Sequence, residues 1–404
     1  MSSLLSGEMA YIALLFALFI VPRIIQRWGV PSAISSFALG VAIGAGSGLF
    51  HDDTTIALLS TFGIVSLFLF AGLEVDWHEL RSGAAVLVQH LTIRLVMIAI
   101  ATYAVAWLLG LSIRPAVLVA LALLTPSTGF ILSALDSMGG TEQERFWIRS
   151  KAVATEIVAL IVLFIALQSN TAVHFASSTA ILLLMIALLP LAFRLFARVV
   201  LPFAPKSDFA FLVIVAVACA VLTKQLGVYY LVGAFVVGVV AQRFRSRMPS
   251  MRTDQMLHAV ESLASLFIPF YFFHAGLELR ASDFSWLALG YGLAFLLVAV
   301  PFRFLFVVAH RRLALRERAR SGVRIATAMM PTLVFTLVIA TILREEFQIA
   351  PPIFGGLILY AVVNTLLPGL MLQAPVAEFD TLIPHTVLVG RNSGNVTQSG
   401  TDGD

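Results

Sequence analysis

LALLTPSTGFILSALDSMGG, residues 121–140, leads through a short charged turn into WIRSKAVATEIVALIVLFIALQ, residues 147–168. The first half is an apolar run interrupted at Thr125, Pro126, Ser127, Thr128 and Gly129; the second is an apolar helix with a carboxylate, Glu156, set inside it. Pro126 removes a backbone donor, and its ring clashes with the carbonyl one turn back. In lipid the freed groups must be met by protein, water or ions, because hydrocarbon offers none. A broken helix beside a helix with a buried acid is how many secondary transporters build an ion site.

The composition around this stretch agrees with a membrane setting. Of 404 residues, 60% are hydrophobic and 12% charged, and mean hydropathy is +0.97; a soluble domain carries about 25% charge. The chain reads as all-α and polytopic, lying almost wholly in the bilayer. Its net charge of +4 does not indicate nucleic acid, because the positive residues sit in short loops between apolar runs. The single cysteine, Cys219, excludes an intrachain disulfide and argues against a thiolate metal site. The N-terminus carries Glu8 and no positive stretch before its apolar run, so that run is expected to stay as a span.

Thirteen apolar segments are long enough to cross, with cores at 8–26, 31–50, 55–74, 84–109, 115–138, 147–168, 177–199, 208–224, 228–242, 256–279, 285–309, 323–343 and 351–373. Nineteen Lys and Arg residues fall in one alternating set of loops, and four (Arg114, Lys224, Arg280 and Arg344) in the other. The richer set is expected in the cytoplasm, which places the N-terminus outside and the C-terminus inside, in the cell's inner (plasma) membrane. A polar tail, 374–404, reads as flexible.

The chain also repeats. FLFAGLEVDWHEL ends the third segment and FFHAGLELRASDF the tenth; TPSTGF in the fifth matches MPTLVF in the twelfth; Arg94 and Arg303 take similar places in the fourth and eleventh. The shift is seven segments, an odd number, so the second copy is inverted in the membrane. The expected organisation is a first repeat over 1–175, a linker helix over 176–206, and a second repeat over 207–373, with broken helices crossing near Pro126 and Pro331.

With these residues in place, the chain resembles the monovalent cation:proton antiporter family, in the branch that includes bacterial sodium/proton antiporters and potassium-efflux proteins. The resemblance spans roughly 8–373. It rests on GLE after the third segment, the two breaks, the polar pair Thr155-Glu156 in the sixth segment and a basic residue in the eleventh. It implies a rigid dimerisation domain, a core domain holding the crossed helices, exchange of Na⁺ or K⁺ for H⁺ by an elevator-like motion, and a homodimer. Many relatives carry two acids, or Asn and Asp, in the sixth segment. Here Thr155 stands first and cannot titrate, so a single carboxylate remains and one-for-one, electroneutral exchange is expected.

The residues themselves give these expectations. Glu156 is the carrier for either a cation or a proton, since intramembrane acids mark functional sites; the alternative is a structural acid paired with an arginine. A hard cation needs several oxygens, and Thr155, Thr125, Ser127, Thr128 and carbonyls freed by Pro126 are candidate donors. Arg303 reads either as a counter-ion holding Glu156 or the second break, or as a side chain snorkelling to the cytoplasmic face. Arg94 divides equally between structure and function. Gly129, Pro331 and Thr332 shape the breaks. Glu74 and Glu278 end the two GLE segments, facing funnels to the site or simply solvated. Gly40 and Gly44 have the spacing of a close helix contact. No cofactor is called for, and no catalytic spacing of Ser, His and Asp, no HExxH and no paired aspartates suggest an enzyme. A pH-gated cation channel and a sodium-coupled symporter of an organic anion remain alternatives to antiport.

Overall fold

The computed structural model describes residues 7–135, 141–169, 171–204, 207–245, 254–314, 316 and 319–372. The tail at 374–404 lies outside them. Helices account for nearly all of the described residues. They are α1 Gly7–Gln26, α2 Ser32–Ser47, α3 Thr54–Leu73, α4 Trp77–Ser82, α5 Ala84–Leu109, α6 Ile113–Leu124, α7 Thr128–Ala134, α8 Glu142–Gln168, α9 Ala172–Leu195, α10 Asp208–Gln225, α11 Tyr230–Arg245, α12 Asp254–Leu277, α13 Trp286–Ala314, α14 Ala319–Ala328, α15 Leu333–Phe347 and α16 Pro351–Leu372.

Among the described residues ten helical stretches are long and apolar enough to cross a bilayer, with α6 and α7 together counting as one. The pair α14 and α15, bent by 48° across its break, makes an eleventh. Two shorter apolar helices, Ser32–Ser47 and Tyr230–Phe244, correspond to the second and ninth segments. At 16 residues each of α2 and α11 is about 24 Å long, short of the ~30 Å hydrocarbon core. The sequence count of thirteen is therefore reached only by including these two.

The helices pack in two groups. In the first, α12 lies against α2 and α3, α11 against α3 and α10, and α1 against α2. In the second, α13 packs on α16, α15 on α16 and α6, and α5 on α6 and α8. In the second group α6 and α15 are enclosed on nearly every side, while α1, α5, α9 and α13 turn residues such as Phe16, Tyr103, Trp107, Leu188 and Leu297 outward. An apolar periphery around a buried centre is what a bilayer solvent requires.

Close approach in the first group depends on glycine. A Cβ on Gly40 of α2 would strike the Phe273 carbonyl of α12, and one on Gly276 would strike Phe37 of α2. The α3–α11 contact is built the same way: Gly72 faces the Phe235 carbonyl and Gly238 that of Leu69. A Cβ on Gly44 would stand 3.3 Å from Leu277 Cα, a tight approach but a milder one. Small residues let membrane helices pack backbone to backbone. Gly276→Leu has no room against a carbonyl, which cannot swing aside as a side chain can. It should destabilise by about 3 kcal/mol or more; a melting temperature in detergent equal to wild type would show that the contact is looser than described.

Candidate ion-binding site

Helical hydrogen bonding stops at Thr125–Ser127 between α6 and α7, and at Met330–Thr332 between α14 and α15. Each break contains the expected proline, Pro126 or Pro331. Pro126 has no N–H for the Ala122 carbonyl, and the Ser127 N–H, which would have met Leu123, instead donates to the Pro331 carbonyl at 2.8 Å. The two carbonyls left behind are taken by the other half of the chain. Thr336 Oγ1 donates to Ala122 O at 2.7 Å, and Tyr360 OH donates to Leu123 O at 2.5 Å.

The second break is mended in the same manner. Arg303 Nη2 donates to Met329 O at 2.6 Å, and Nη1 to Met330 O and Tyr360 Oη at 3.0 Å each. Asn364 Nδ2 also donates to Met330 O, at 2.5 Å, and approaches Thr332 Oγ1 at 3.3 Å. The start of α15 is capped from the first break: Ser127 Oγ accepts from the N–H groups of Val334 and Phe335 at 3.1 and 3.3 Å. The two breaks are thus bonded to each other through Ser127. This follows from the low-dielectric setting, where an unmet backbone group costs more than in water.

Glu156 lies beside this crossing, on α8, 2% exposed. Its carboxylate faces the hydroxyl and backbone N–H of Thr128 at the start of α7. Among the described residues Glu156 Oε2 and Thr128 Oγ1 are nevertheless both buried without a closed hydrogen bond. They are two oxygens, one of them on a carboxylate, with ligating capacity unspent. A Cβ on Gly129, next along, would stand 3.6 Å from the Leu67 side chain of α3, and α7 packs on α3, so this face of the site lies against the first helix group.

The other sequence candidates divide. Thr125, Ser127 and Thr128 are buried at the break, but Ser127 is occupied as the brace just described. The carbonyls expected to be available after Pro126 are the ones held by Thr336 and Tyr360. Thr155 turns away from Thr128: its hydroxyl donates to Lys151 O at 2.7 Å, and His90 Nε2 lies 3.2 Å from it. Adjacent helical residues point about 100° apart, so proximity in sequence did not give a shared face.

Arg303 is fully buried and does not reach solvent. Among the described residues no ion pair joins Glu156 to Arg303 or to Arg94. Arg94, 2% exposed, has Nε and Nη1 without hydrogen-bond partners. Glu74 stands at the end of α3. Glu278 follows α12 and lies 3.9 Å from His274.

Four groups escaped the sequence reading. Tyr360 and Asn364, one turn apart on α16, are both buried at the crossing; a polar Asn in an apolar helix was the available signal. Lys151, counted with the loop cations, is fully buried, with Nζ 3.3 Å from His310 Nδ1. His310 is also buried, its ring 6.1 Å from that of His90.

Two broken helices bonded at their breaks beside a buried carboxylate are the arrangement expected of a membrane ion-transport protein. The model of the family described as "Sodium/hydrogen exchanger, transmembrane" matches residues 12–378, and the chain belongs to that family. It is 22% identical over 371 residues to probable Na(+)/H(+) antiporter 3 of Methanocaldococcus jannaschii, covering 90% of this chain and 95% of that one. It is 25% identical over 289 residues to the Na(+)/H(+) antiporter of Enterococcus hirae, covering 67% of this chain and 73% of the other. The solved structure of the sodium proton antiporter MjNhaP1 from Methanocaldococcus jannaschii shares the fold, with a TM-score of 0.63 at 13% identity over 91% of this chain and 96% of that chain.

Proposed function

We propose that this chain exchanges a monovalent cation, Na⁺ or K⁺, for H⁺ across the membrane, with Glu156 holding each in turn. The observation that carries the reading is the buried Glu156 carboxylate, an oxygen unspent, at the bonded crossing of two broken helices. The names of the relatives support Na⁺ as a substrate. Thr128, and Thr125 at the end of α6, are the hydroxyls we assign to the cation beside Glu156. Arg303 and Arg94 supply fixed positive charge near the crossing: Arg303 holds the second break, and both disfavour a second cation.

The proposal includes thirteen crossings, N-terminus outside and C-terminus in the cytoplasm of a plasma membrane, in two inverted repeats with a homodimeric assembly. The paired glycine contacts support the repeat, since α2 on α12 and α11 on α3 exchange places under the sequence matching. The 19-to-4 distribution of basic residues supports the orientation.

The test is dequenching of a pH-sensitive dye in proteoliposomes on adding Na⁺, K⁺ or Li⁺ chloride, with no organic substrate present. We expect a response to at least one cation, and the same rate with or without an imposed membrane potential, because one carboxylate carries one proton or one monovalent cation. Acceleration by the potential, with charge moved in each turnover, would mean a second proton carrier. A response needing an organic anion would favour the symporter.

A further inference from the structure

Resting on the exchange reading and orientation just given, we propose that the outer end of the seam between the two helix groups is a closable vestibule. In this structure it is latched by Tyr229 to Glu345 and by Gln168 to the Leu226 carbonyl, and both bonds must part for Glu156 to meet the outside.

The vestibule is a cavity of about 360 Å³ whose lining is drawn from both groups. Arg114, Gln168 and Glu346 come from the group that holds the site; His174, Gln225 and Leu226 come from α9, α10 and the turn after α10. Its walls are polar, unlike the lipid-facing surface, and so suit water and ions. Gln168 is the last residue of α8, twelve positions beyond Glu156 and therefore about 18 Å along the same helix. An ion leaving Glu156 outward along α8 arrives here.

Two bonds cross the seam, Gln168 to Leu226 in the cavity wall and Tyr229 to Glu345 beside it, and both come from one short turn, Leu226–Tyr229. Gln168 Nε2 donates to Leu226 O at 2.9 Å. Tyr229 OH donates to Glu345 Oε2, at the far end of α15, also at 2.9 Å. Among the described residues the buried amide oxygen of Gln168 meets no donor, so this side chain is placed for its one bond across the seam and not for a full set.

The turn is built for presentation. Gly227 has φ +73° and Tyr229 φ +74°, the latter a conformation in which a tyrosine is an outlier. Such strain persists only where the surroundings enforce it, and it gathers at clamps and switches. Here Thr223 enforces it: its carbonyl accepts from the Val228 N–H at 2.9 Å, and its Oγ1 donates to the Tyr229 carbonyl at 3.1 Å. α10 therefore holds the turn, and the turn holds out a carbonyl and a hydroxyl to the other group. Relative motion of the two groups strains both bonds together.

The test uses the full chain with Cys219→Ala, Tyr229→Cys and Glu345→Cys, reconstituted in vesicles. A bifunctional maleimide joins the new thiols, since a pair bonded tip to tip stands too far apart for a disulfide. Linked protein should exchange at a tenth or less of the unlinked rate. Exchange at the unlinked rate overturns the latch, because the two residues then travel as one body. Tyr229→Phe, which deletes one hydroxyl, should lower the apparent KM for cation supplied outside by up to about tenfold, through a larger outward-open fraction. An unchanged KM overturns the energetic role assigned to that bond. If unlinked protein and wild type both fail with Na⁺, K⁺ and Li⁺, the exchange reading falls, and the latch with it.

Discussion

Glu156→Gln is expected to reduce cation/proton exchange to the level of protein-free vesicles while leaving the fold intact. The amide matches the carboxyl in size and can still accept from Thr128, which the carboxylate faces. It neither binds and releases a proton nor offers a charge to a cation. Burying an ion costs free energy that a neutral amide avoids, so the melting temperature in detergent should hold or rise. Loss of exchange in protein that still melts cooperatively then separates a transport defect from a folding one. Glu156→Asp withdraws the carboxylate by one methylene and should keep partial activity with a changed order of preference among Na⁺, K⁺ and Li⁺. Normal exchange by the Gln variant would move the carrier elsewhere, and the buried acid would be structural.

The second large effect is expected at Arg303. Removing its side chain leaves Met329 O without the donor described, Met330 O dependent on Asn364 alone, and Tyr360 Oη short of one partner. Each buried group left unmet costs about 1–3 kcal/mol, and the cavity of a large, fully buried side chain adds to it. Arg303→Ala should therefore lose about 3–5 kcal/mol of stability. Arg303→Lys should fall between, because one ammonium cannot reproduce a planar fork that serves two carbonyls and a hydroxyl. Thermal unfolding in detergent reads the stability, and the pH profile of exchange reads the effect on the site. An alanine variant with wild-type melting would mean that the break supports itself.

Much of this was legible in the sequence because proline and membrane burial act locally. Proline alone, however, did not decide where the chain breaks, since Pro22, Pro190, Pro269, Pro301 and Pro368 lie inside helices; the repeat pairing of Pro126 with Pro331 singled out the two breaks, and an acid inside an apolar helix stood out as costly. The partners of the freed carbonyls were not legible. Thr336 meets Ala122 across 214 residues, and Tyr360 meets Leu123 across 237; no local pattern encodes such pairings. Arg303 was recognised as exceptional, yet its alternatives, pairing with the acid, bracing the break or snorkelling, required coordinates to separate.

Lys151 was misplaced for a different reason. It stands near Arg145 and Arg149 and reads as part of their loop. However, Thr141 and Glu144 form a reciprocal cap that starts α8 at Glu142, so Lys151 is already well inside a helix that runs unbroken to Gln168. Thr155 was grouped with Glu156 as a neighbour, where helical rotation gives it to His90 instead.

The measurement that bears most directly on the shared carrier is the apparent KM for Na⁺, or for K⁺ if that is the cation transported, at a series of pH values in proteoliposomes. A cation that needs the deprotonated ligand competes with protons for it. On the acid side of the working range, KM should rise about tenfold for each unit fall in pH while the maximal rate changes little. A KM that stays constant as the maximal rate falls would place the proton and the cation on separate groups, and would contradict the assignment of both to Glu156.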